Sequence, residues 1–293
     1  MAVSSLLDEA LIARLGGLEI FTRNTNVVAY ESGYHGAQRG GEVEFAEYRA
    51  YTPGDDVRYI DWNVYARLGT LVTKRFGAEE YKRTHIILDA SGSMGTGGKF
   101  VFGRRLAAAL AAIGLGGGDV VTVSLAGDRL GGRCGPLSGR HGVYAVCAFL
   151  EQALPAGPTD LDRALAEFAA RHHEPCRIIL ISDLLGGAVP GPGLAAIAGA
   201  ERDTSVIQVL DRADRIPAER GSFRFRDAES GAEFDAEVGR EELDGYRARM
   251  TARIGAAAGG CARLGIDHIL LDTARPLEAV LFEDLRAQGV VRG

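Results

Sequence analysis

The sequence is poor in cysteine and has no long apolar run. Its four cysteines contain no Cys-x-x-Cys pair, so neither a zinc knuckle nor a thioredoxin-like redox site is indicated. They are Cys134, Cys147, Cys176 and Cys261. The longest apolar stretches, such as Leu106 to Leu115, are shorter than the roughly 18 residues that indicate a membrane span.

The sequence also lacks an excess of basic residues. A net charge of -6 and a pI near 5.6 argue against affinity of the whole protein for nucleic acid. The N-terminal segment MAVSSLLDEALIARLGG carries Asp8 and Glu9 and has the pattern of an amphipathic helix, not of a signal peptide. We therefore expect a cytoplasmic protein that binds other proteins and binds neither nucleic acid nor a membrane.

From Thr84 onward, short apolar runs alternate with helical patterns. The runs predict buried parallel strands at Thr84 to Ala90, Asp119 to Ala126, Cys176 to Ser182, Thr204 to Leu210 and Ile266 to Leu271. The intervening patterns predict helices at Lys99 to Ile113, Gly142 to Leu154, Asp160 to His172, Gly193 to Ala200, Glu241 to Leu264 and Pro276 to Ala287. This alternation predicts a doubly wound α/β domain with a mainly parallel sheet, and ligands at the carboxyl ends of the strands.

Two segments depart from that alternation. Residues Ser222 to Val238 contain the turn-prone Glu229-Ser230-Gly231 between two strand patterns, which predicts an inserted β-hairpin. Residues 18–80 contain alternating segments, turn signals and little helical periodicity, which predicts a small β-rich subdomain. We therefore divide the chain into 1–83, an N-terminal helix with the β-rich segment, and 84–293, the α/β domain with its hairpin near 222–238.

Short oxygen-bearing side chains lie at three places that we expect to be strand ends. The first strand ends in Asp89-x-Ser91-x-Ser93, Thr159 immediately precedes a helix, and Asp183 follows the strand that begins at Cys176. Hard oxygen donors of this kind suit Mg²⁺, with Ca²⁺ or Mn²⁺ as alternatives. The sequence therefore predicts a divalent-cation site at Asp89, Ser91, Ser93, Thr159 and Asp183.

Each of these groups also has a structural interpretation. Asp-x-Ser-x-Ser is compatible with a helix-capping loop, because Ser and Asp are ordinary N-cap residues. Thr159 is compatible with an N-cap of the helix near Asp160, and Asp183 with a solvated loop acid. Asp160 either supports the metal ligands without contacting the metal or is unrelated to the site.

The five residues together resemble the metal-ion-dependent adhesion site of von Willebrand factor A domains. This resemblance implies that the hydroxyls of Ser91, Ser93 and Thr159 contact the metal, whereas Asp89 and Asp183 hold it largely through bound water. It also implies that a carboxylate from a protein partner completes the coordination shell. Neutral hydroxyl ligands leave the cation under-neutralised, which is the physical reason for such a partner.

A second motif lies upstream of the site. The segment Gly41 to Arg49 runs into Tyr51-Thr52-Pro53-Gly54-Asp55-Asp56-Val57-Arg58-Tyr59-Ile60-Asp61-Trp62, and Ala66-Arg67 follows. It resembles the signature of the bacterial DUF58 family, and the ending GIDHILLDTARPLEAVLFEDLRAQG resembles the C-terminal part of that family. The similarity spans roughly residues 18–290. It implies association with a MoxR-type AAA+ ATPase and an adaptor or chaperone-like role.

Enzyme motifs near the site are incomplete. A phosphate-binding loop would need glycine at Ser93 and a hydroxyl residue at Phe100, and a nucleophile elbow would need glycine at Ser91. We therefore expect a non-enzymatic, cation-dependent protein-binding module. One alternative is a metal-dependent hydrolase in which Asp89 and Asp183 activate water. Another is a structural module whose cation only stabilises loops.

Overall fold

A computed structural model describes residues 5–21, 45–52, 60–76, 82–187, 190–199, 202–217 and 219–293. The chain forms two compact units. The α/β unit comprises Met1–Val27 and Lys82–Gly293, and the small unit comprises Val28–Tyr81. No helix of the described ranges combines the length and the apolar character needed to cross a membrane.

The strands are numbered in chain order. They are β1 (Glu19–Ile20), β2 (Phe45–Ala50), β3 (Val72–Phe76), β4 (Arg83–Asp89), β5 (Val120–Ala126), β6 (Leu130–Leu137), β7 (Cys176–Ser182), β8 (Arg202–Leu210), β9 (Gly221–Arg226), β10 (Glu233–Val238), β11 (Asp267–Asp272) and β12 (Val291–Arg292). The helices are α1 (Glu9–Leu15), α2 (Trp62–Leu68), α3 (Lys99–Gly116), α4 (Gly142–Gln152), α5 (Leu161–Arg171), α6 (Pro192–Ile197), α7 (Arg212–Arg215), α8 (Arg240–Arg263), α9 (Leu277–Ala279) and α10 (Leu285–Ala287). A π-helical turn, Val280–Asp284, joins α9 to α10.

Within the described part of the α/β unit, six strands form one sheet in the order β11-β8-β7-β4-β5-β6. Every neighbouring pair is parallel except β5 with β6. The predicted α/β fold with a mainly parallel sheet is therefore confirmed. Strand β6 was not predicted, because its sequence LGGRCGPL has no apolar alternation, and its irregular register against β5 is typical of an edge strand.

The central strands bury side chains on both faces of the sheet. On β4, Ile86 and Leu88 join one hydrophobic cluster and Ile87 joins the other, as the two-residue period of a strand requires. The first cluster contains residues of α1, α3, α4 and the C-terminal helical segment, and the second contains residues of α5, α6 and α8. Helices therefore cover both faces, which explains the continuous apolar runs.

The N-terminal helix lies with the α/β unit, whereas the division at residue 83 grouped it with the β-rich segment. Asp8 caps α1 by accepting a hydrogen bond from the backbone N–H of Leu11. Leu11 and Leu15 are buried in the cluster that contains α3. The physical reason is apolar burial, which assigns a helix to the core it covers.

The small unit contains the antiparallel pair β2 and β3, as predicted for a β-rich segment. It also contains α2, which the weak helical periodicity did not predict. Asp61 caps this helix by accepting hydrogen bonds from two backbone N–H groups, and Gly69 ends it with a left-handed φ of 65°. Residues 41–44 and 53–59 of the upstream motif, including Asp55 and Asp56, lie outside the described residues.

The predicted hairpin is present. Strands β9 and β10 pair in antiparallel register from Gly221↔Val238 to Arg226↔Glu233, and residues 227–232 form the connection. Most of its residues are exposed. The hairpin is therefore an insertion outside the main sheet.

The burial of α1 yields a test. Leu15→Ala removes a side chain that is 0% exposed, so we expect a loss of about 2–5 kcal/mol in the free energy of unfolding, measured by urea denaturation. Ile12→Ala, on the same helix but only partly buried, should cost less than half as much. A loss for Leu15→Ala far below about 2 kcal/mol would contradict the packing of α1 in the core.

Candidate metal site at the carboxyl edge of the sheet

The candidate site lies where the direction of winding changes. Strand β4 has β5 on one side and β7 on the other, so the chain passes from β4 to β5 and later returns to the opposite side of β4. Asp89 is the last residue of β4, and Asp183 directly follows β7. Open α/β sheets bind ligands at the carboxyl ends of strands that flank such a switch point.

Asp89 is buried and fully hydrogen-bonded. Its Oδ1 accepts from the backbone N–H of Ser91 at 2.9 Å, and its Oδ2 accepts from the hydroxyl of Ser182 at 2.6 Å. Burial raises the pKa of Asp89 to about 6, and the charge of Asp183 adds to the shift against the hydrogen bonds from Ser182 and Ser91. The side-chain carboxylates of Asp89 and Asp183, at the ends of β4 and β7, are therefore electrostatically coupled.

Asp183 is engaged by a buried lysine that the sequence did not connect to the site. Lys99 Nζ donates to Asp183 Oδ2 at 2.8 Å and lies 3.1 Å from Asp214 Oδ2. Burial alone would lower the pKa of Lys99, but the two carboxylates raise it above its ordinary value. The other oxygen of Asp183 accepts from the backbone N–H of Leu185 at 3.0 Å. Asp183 is thus a buried ion-pair partner, not a solvated loop acid.

The two serines of the motif lie side by side. Ser91 Oγ and Ser93 Oγ are 3.1 Å apart, and either can be the donor. Adjacent ligands of an octahedral Mg²⁺ at about 2.1 Å would lie about 3 Å from each other. The spacing of the two hydroxyls therefore fits neighbouring positions on one hard cation.

Thr159 supplies an unpartnered hydroxyl. Its Oγ1 is buried and has no hydrogen-bond partner among the described residues. The neighbouring Asp160, not Thr159, caps α5 by accepting from the backbone N–H of Arg163 at 3.0 Å. A buried polar atom without a partner is costly unless a ligand satisfies it. The hydroxyl of Thr159 is therefore available for a cation.

Backbone contacts bring the loops of the site together. Gly92 N donates to Gly157 O at 2.9 Å, which joins the Asp-x-Ser-x-Ser loop to the loop that carries Thr159. A Cβ atom at Gly186 would lie 2.3 Å from Cγ2 of Thr159, so the loop after Asp183 approaches closely enough to require glycine. Loops carrying all five predicted residues thus meet at one edge of the sheet.

The loop after Asp183 is held in an uncommon conformation. Leu184 is buried and has a left-handed φ of 53°, which is rare for a residue with a branched side chain. Arg253 of α8 fixes this turn by donating to the carbonyl oxygens of Leu184, Gly186 and Gly187. Strain of this kind is typical of functional loops.

The structure distinguishes a cation-binding loop from a helix-capping loop at Asp-x-Ser-x-Ser. Helix α3 is preceded by Gly98, which makes no side-chain cap, so Asp-x-Ser-x-Ser is not its capping loop. All four carboxylate oxygens of Asp89 and Asp183 accept hydrogen bonds from the protein. The three hydroxyls are therefore the groups best placed to contact a cation directly, with the carboxylates behind them. This donor set fits Mg²⁺.

A second cluster of ligand atoms lies where β4 meets the end of α5. Atoms of His85, His172 and Glu174 lie within 4.8 Å of one another. Burial lowers the pKa of His85 to about 3, and the positive charges of Arg133 and Arg83 contribute. Glu174 already pairs with Arg83 at 3.0 Å. Nearby guanidinium groups oppose a divalent cation, so this cluster is a weaker candidate than the switch-point site.

Fold and site together define a doubly wound α/β protein with hydroxyl and carboxylate oxygens gathered at its switch point. The family model "Protein of unknown function DUF58" matches residues 47–254, and this range contains all five site residues and the hairpin. An uncharacterized protein of Mycobacterium tuberculosis is 31% identical over 300 residues, covering 98% of this chain and 93% of the relative. The chain belongs to the DUF58 family.

Two solved structures show limited similarity to this chain. A conserved hypothetical protein BatB from Bacteroides thetaiotaomicron is 19% identical, with a TM-score of 0.41, and covers 71% of this chain and 98% of its own. A von Willebrand factor type A protein from Catenulispora acidiphila is 14% identical, with a TM-score of 0.43, and covers 75% of this chain and 44% of its own. The α/β fold of this chain rests on its own sheet topology.

Because the pKa of Asp89 is raised, the free energy of unfolding should decrease as pH rises. Without metal, the folded state binds the Asp89 proton more tightly than the unfolded state, whose carboxyl has a pKa near 3.8. The stabilising contribution is therefore present below about pH 4 and is lost as pH rises to about 6. Asp89→Asn cannot titrate, so at pH 7 in chelator it should be more stable than wild type by on the order of 2 kcal/mol.

Urea denaturation in chelator at pH 4 and pH 7 measures this difference. The advantage of Asp89→Asn should shrink toward zero at pH 4, where the wild-type carboxyl is protonated in the folded state. The same difference at both pH values would contradict the assigned burial cost of Asp89.

Proposed function

We propose that this protein is a non-enzymatic, divalent-cation-dependent protein-binding module. Its cation, Mg²⁺ in the first instance, would be held by the hydroxyls of Ser91, Ser93 and Thr159, with Asp89 and Asp183 behind them. The observation that carries the proposal is the buried, unpartnered hydroxyl of Thr159 on the loop joined to the loop of the paired serines. A bound cation would satisfy that hydroxyl.

The recognised group follows from the charge of the ligands. Direct contacts from three neutral hydroxyls do not neutralise a divalent cation, and the carboxylate oxygens of Asp89 and Asp183 are already hydrogen-bonded. An anionic oxygen from outside is therefore the favoured remaining ligand. The chemistry that fits is an aspartate or glutamate side chain of a partner protein.

The candidate partner is a MoxR-type AAA+ ATPase, with an adaptor or chaperone-like role for this chain. Membership of the DUF58 family supports this choice through the resemblance described above. A pocket beside Thr159, bordered by Leu161, Leu184 and Leu194, offers apolar contact for residues that flank the partner's carboxylate.

The hydrolase alternative uses the same atoms in another way. Asp89 has the pKa of a plausible general base, near 6. Its oxygens, however, are buried and accept hydrogen bonds from Ser91 and Ser182, which weakens their basicity and restricts the approach of a water. The binding function is therefore favoured over hydrolysis.

The hydroxyl ligands give the sharpest test. In Ser93→Ala/Thr159→Val, two proposed ligands are removed while the buried charges stay paired. We expect Mg²⁺ affinity to fall by about two orders of magnitude and Mg²⁺-dependent binding of the isolated MoxR-type ATPase to be lost. Stability in chelator should fall by no more than about 1 kcal/mol, because the Thr159 hydroxyl has no hydrogen-bond partner among the described residues and the Ser93 hydroxyl contacts a neutral hydroxyl, that of Ser91. Isothermal titration with Mg²⁺, and then with the ATPase, measures both affinities.

The matched control is Ser222→Ala/Thr251→Val, which removes the same atoms from β9 and from an exposed position of α8. It should behave as wild type. Equal binding of the ATPase by wild type and the ligand variant in Mg²⁺ would overturn the recognition role. Metal-dependent turnover abolished by the ligand variant would instead favour the hydrolase. A cation that changes only stability would show a structural ion.

A further inference from the structure

The tip of the β9–β10 hairpin, residues 227–231, is a preformed turn. Asp227 Oδ1 accepts from the backbone N–H and the hydroxyl of Ser230, each at 2.6 Å, and from the backbone N–H of Glu229 at 3.2 Å. Asp227 N also donates to Ala232 O at 2.8 Å. These bonds fix the turn locally, so the position of Glu229 is set by the tip.

The hairpin tip packs on the candidate metal site. A Cβ atom at Gly92 would lie 2.2 Å from the carbonyl oxygen of Ala228, so the backbone of the tip touches the Asp-x-Ser-x-Ser loop where only glycine fits. Glu229 Oε2 accepts from the backbone N–H of Thr159 at 3.2 Å. Glu229 Oε1 lies 4.0 Å from the position of a Cβ at Gly186. The hairpin tip therefore touches all three loops that form the site, and the carboxylate of Glu229 lies beside two of them, the Thr159 loop and the loop after Asp183.

We propose that Glu229 is the chain's own carboxylate for the cation, and that it takes the place of the partner's carboxylate until the hairpin tip is displaced. The inference rests on the proposed function. The backbone of Thr159 holds the carboxylate, while the hydroxyl of the same residue is an unpartnered cation ligand. Thr159 therefore places the carboxylate of Glu229 next to the proposed position of the cation. Every carboxylate oxygen of Asp89 and Asp183, by contrast, already accepts a hydrogen bond from the protein.

The hairpin is suited to such an exchange. Its strands pair only with each other among the described residues, and most of their side chains are exposed. Phe225 and Phe234 stack on each other at 5.3 Å across the two strands, so the hairpin retains apolar contact of its own. Displacing its tip from the site would therefore cost few core contacts.

The first measurement is metal affinity. Glu229→Gln keeps the size of the side chain and an oxygen that can accept from Thr159 N–H, but it removes the negative charge. We expect Mn²⁺, titrated calorimetrically as the probe, to bind about tenfold more weakly to this variant than to wild type. Glu237→Gln, the same change at an exposed position near the base of the hairpin, should stay within about twofold of wild type.

The second measurement is access of an external carboxylate. A blocked Gly-Glu-Gly peptide, titrated at saturating Mn²⁺, should bind Glu229→Gln about tenfold more tightly than wild type or Glu237→Gln, because the internal competitor is gone. This gain in peptide binding alongside a loss in metal binding is not expected if Glu229 only anchors the hairpin, since Gln retains the hydrogen bond to Thr159.

The outcomes separate the two proposals. If wild type binds Mn²⁺ and Glu229→Gln binds Mn²⁺ and the peptide with wild-type affinity, the internal-ligand role is wrong while the proposed function stands. If wild type binds no Mn²⁺, the proposed function fails and the internal-ligand role fails with it. Opposite shifts in metal and peptide affinity, confined to Glu229→Gln, support both.

Discussion

The burial of two carboxylates at the ends of adjacent central strands is the constraint on which the site depends. Asp89 is 2% exposed and Asp183 is 1% exposed. Removing a carboxylate from water costs several kcal/mol unless charges or hydrogen bonds compensate. Asp183 is compensated by the ammonium of Lys99, whereas Asp89 receives only hydrogen bonds from neutral donors and its pKa rises accordingly. Among the described residues, Asp89 thus has neutral hydrogen-bond donors where Asp183 has an ammonium group.

Lys99 determines how this site can be dissected. It is the first residue of α3, where the helix dipole disfavours a positive charge, and it is fully buried. Only the carboxylates of Asp183 and Asp214 make that position tolerable. Removing Asp183 would break a buried ion pair, at a cost of about 3–5 kcal/mol, and so would confound metal binding with folding. The hydroxyl ligands can be changed without this difficulty.

Much of the fold was predictable because periodicity records burial. The runs that became β4 and β7 are apolar throughout, since both faces of a central parallel strand are covered. Strand β6 and helix α2 escaped prediction because an edge strand and a short capped helix depend on their neighbours and caps more than on an apolar pattern. The predicted α/β domain and hairpin were correct, whereas the N-terminal helix lies with the α/β unit.

The candidate site was predictable only in part. A motif at a strand end locates Asp89, and the open-sheet rule adds Asp183, because chain topology fixes where strands end. Thr159 was also assigned to a strand end, but it lies on the loop between helices α4 and α5 and reaches the site from there. Topology does not fix which side chains pair. The ion pair of Lys99 with Asp183 and the contact of Glu229 with Thr159 join residues that are distant in sequence, and no local pattern records either.

The two long-range contacts, Lys99 with Asp183 and Glu229 with Thr159, differ in how accessible they are. Beneath it, Lys99 neutralises a buried carboxylate permanently, because the pair is inaccessible to water. Beside Thr159, Glu229 offers a carboxylate from a hairpin with few core contacts, so that contact can be exchanged. On the proposed function, a partner's carboxylate would make the same chemical contact, and the exchange would require only the difference in free energy between the two contacts. Partner binding at such a site would therefore be controlled by small free-energy differences at the hairpin tip.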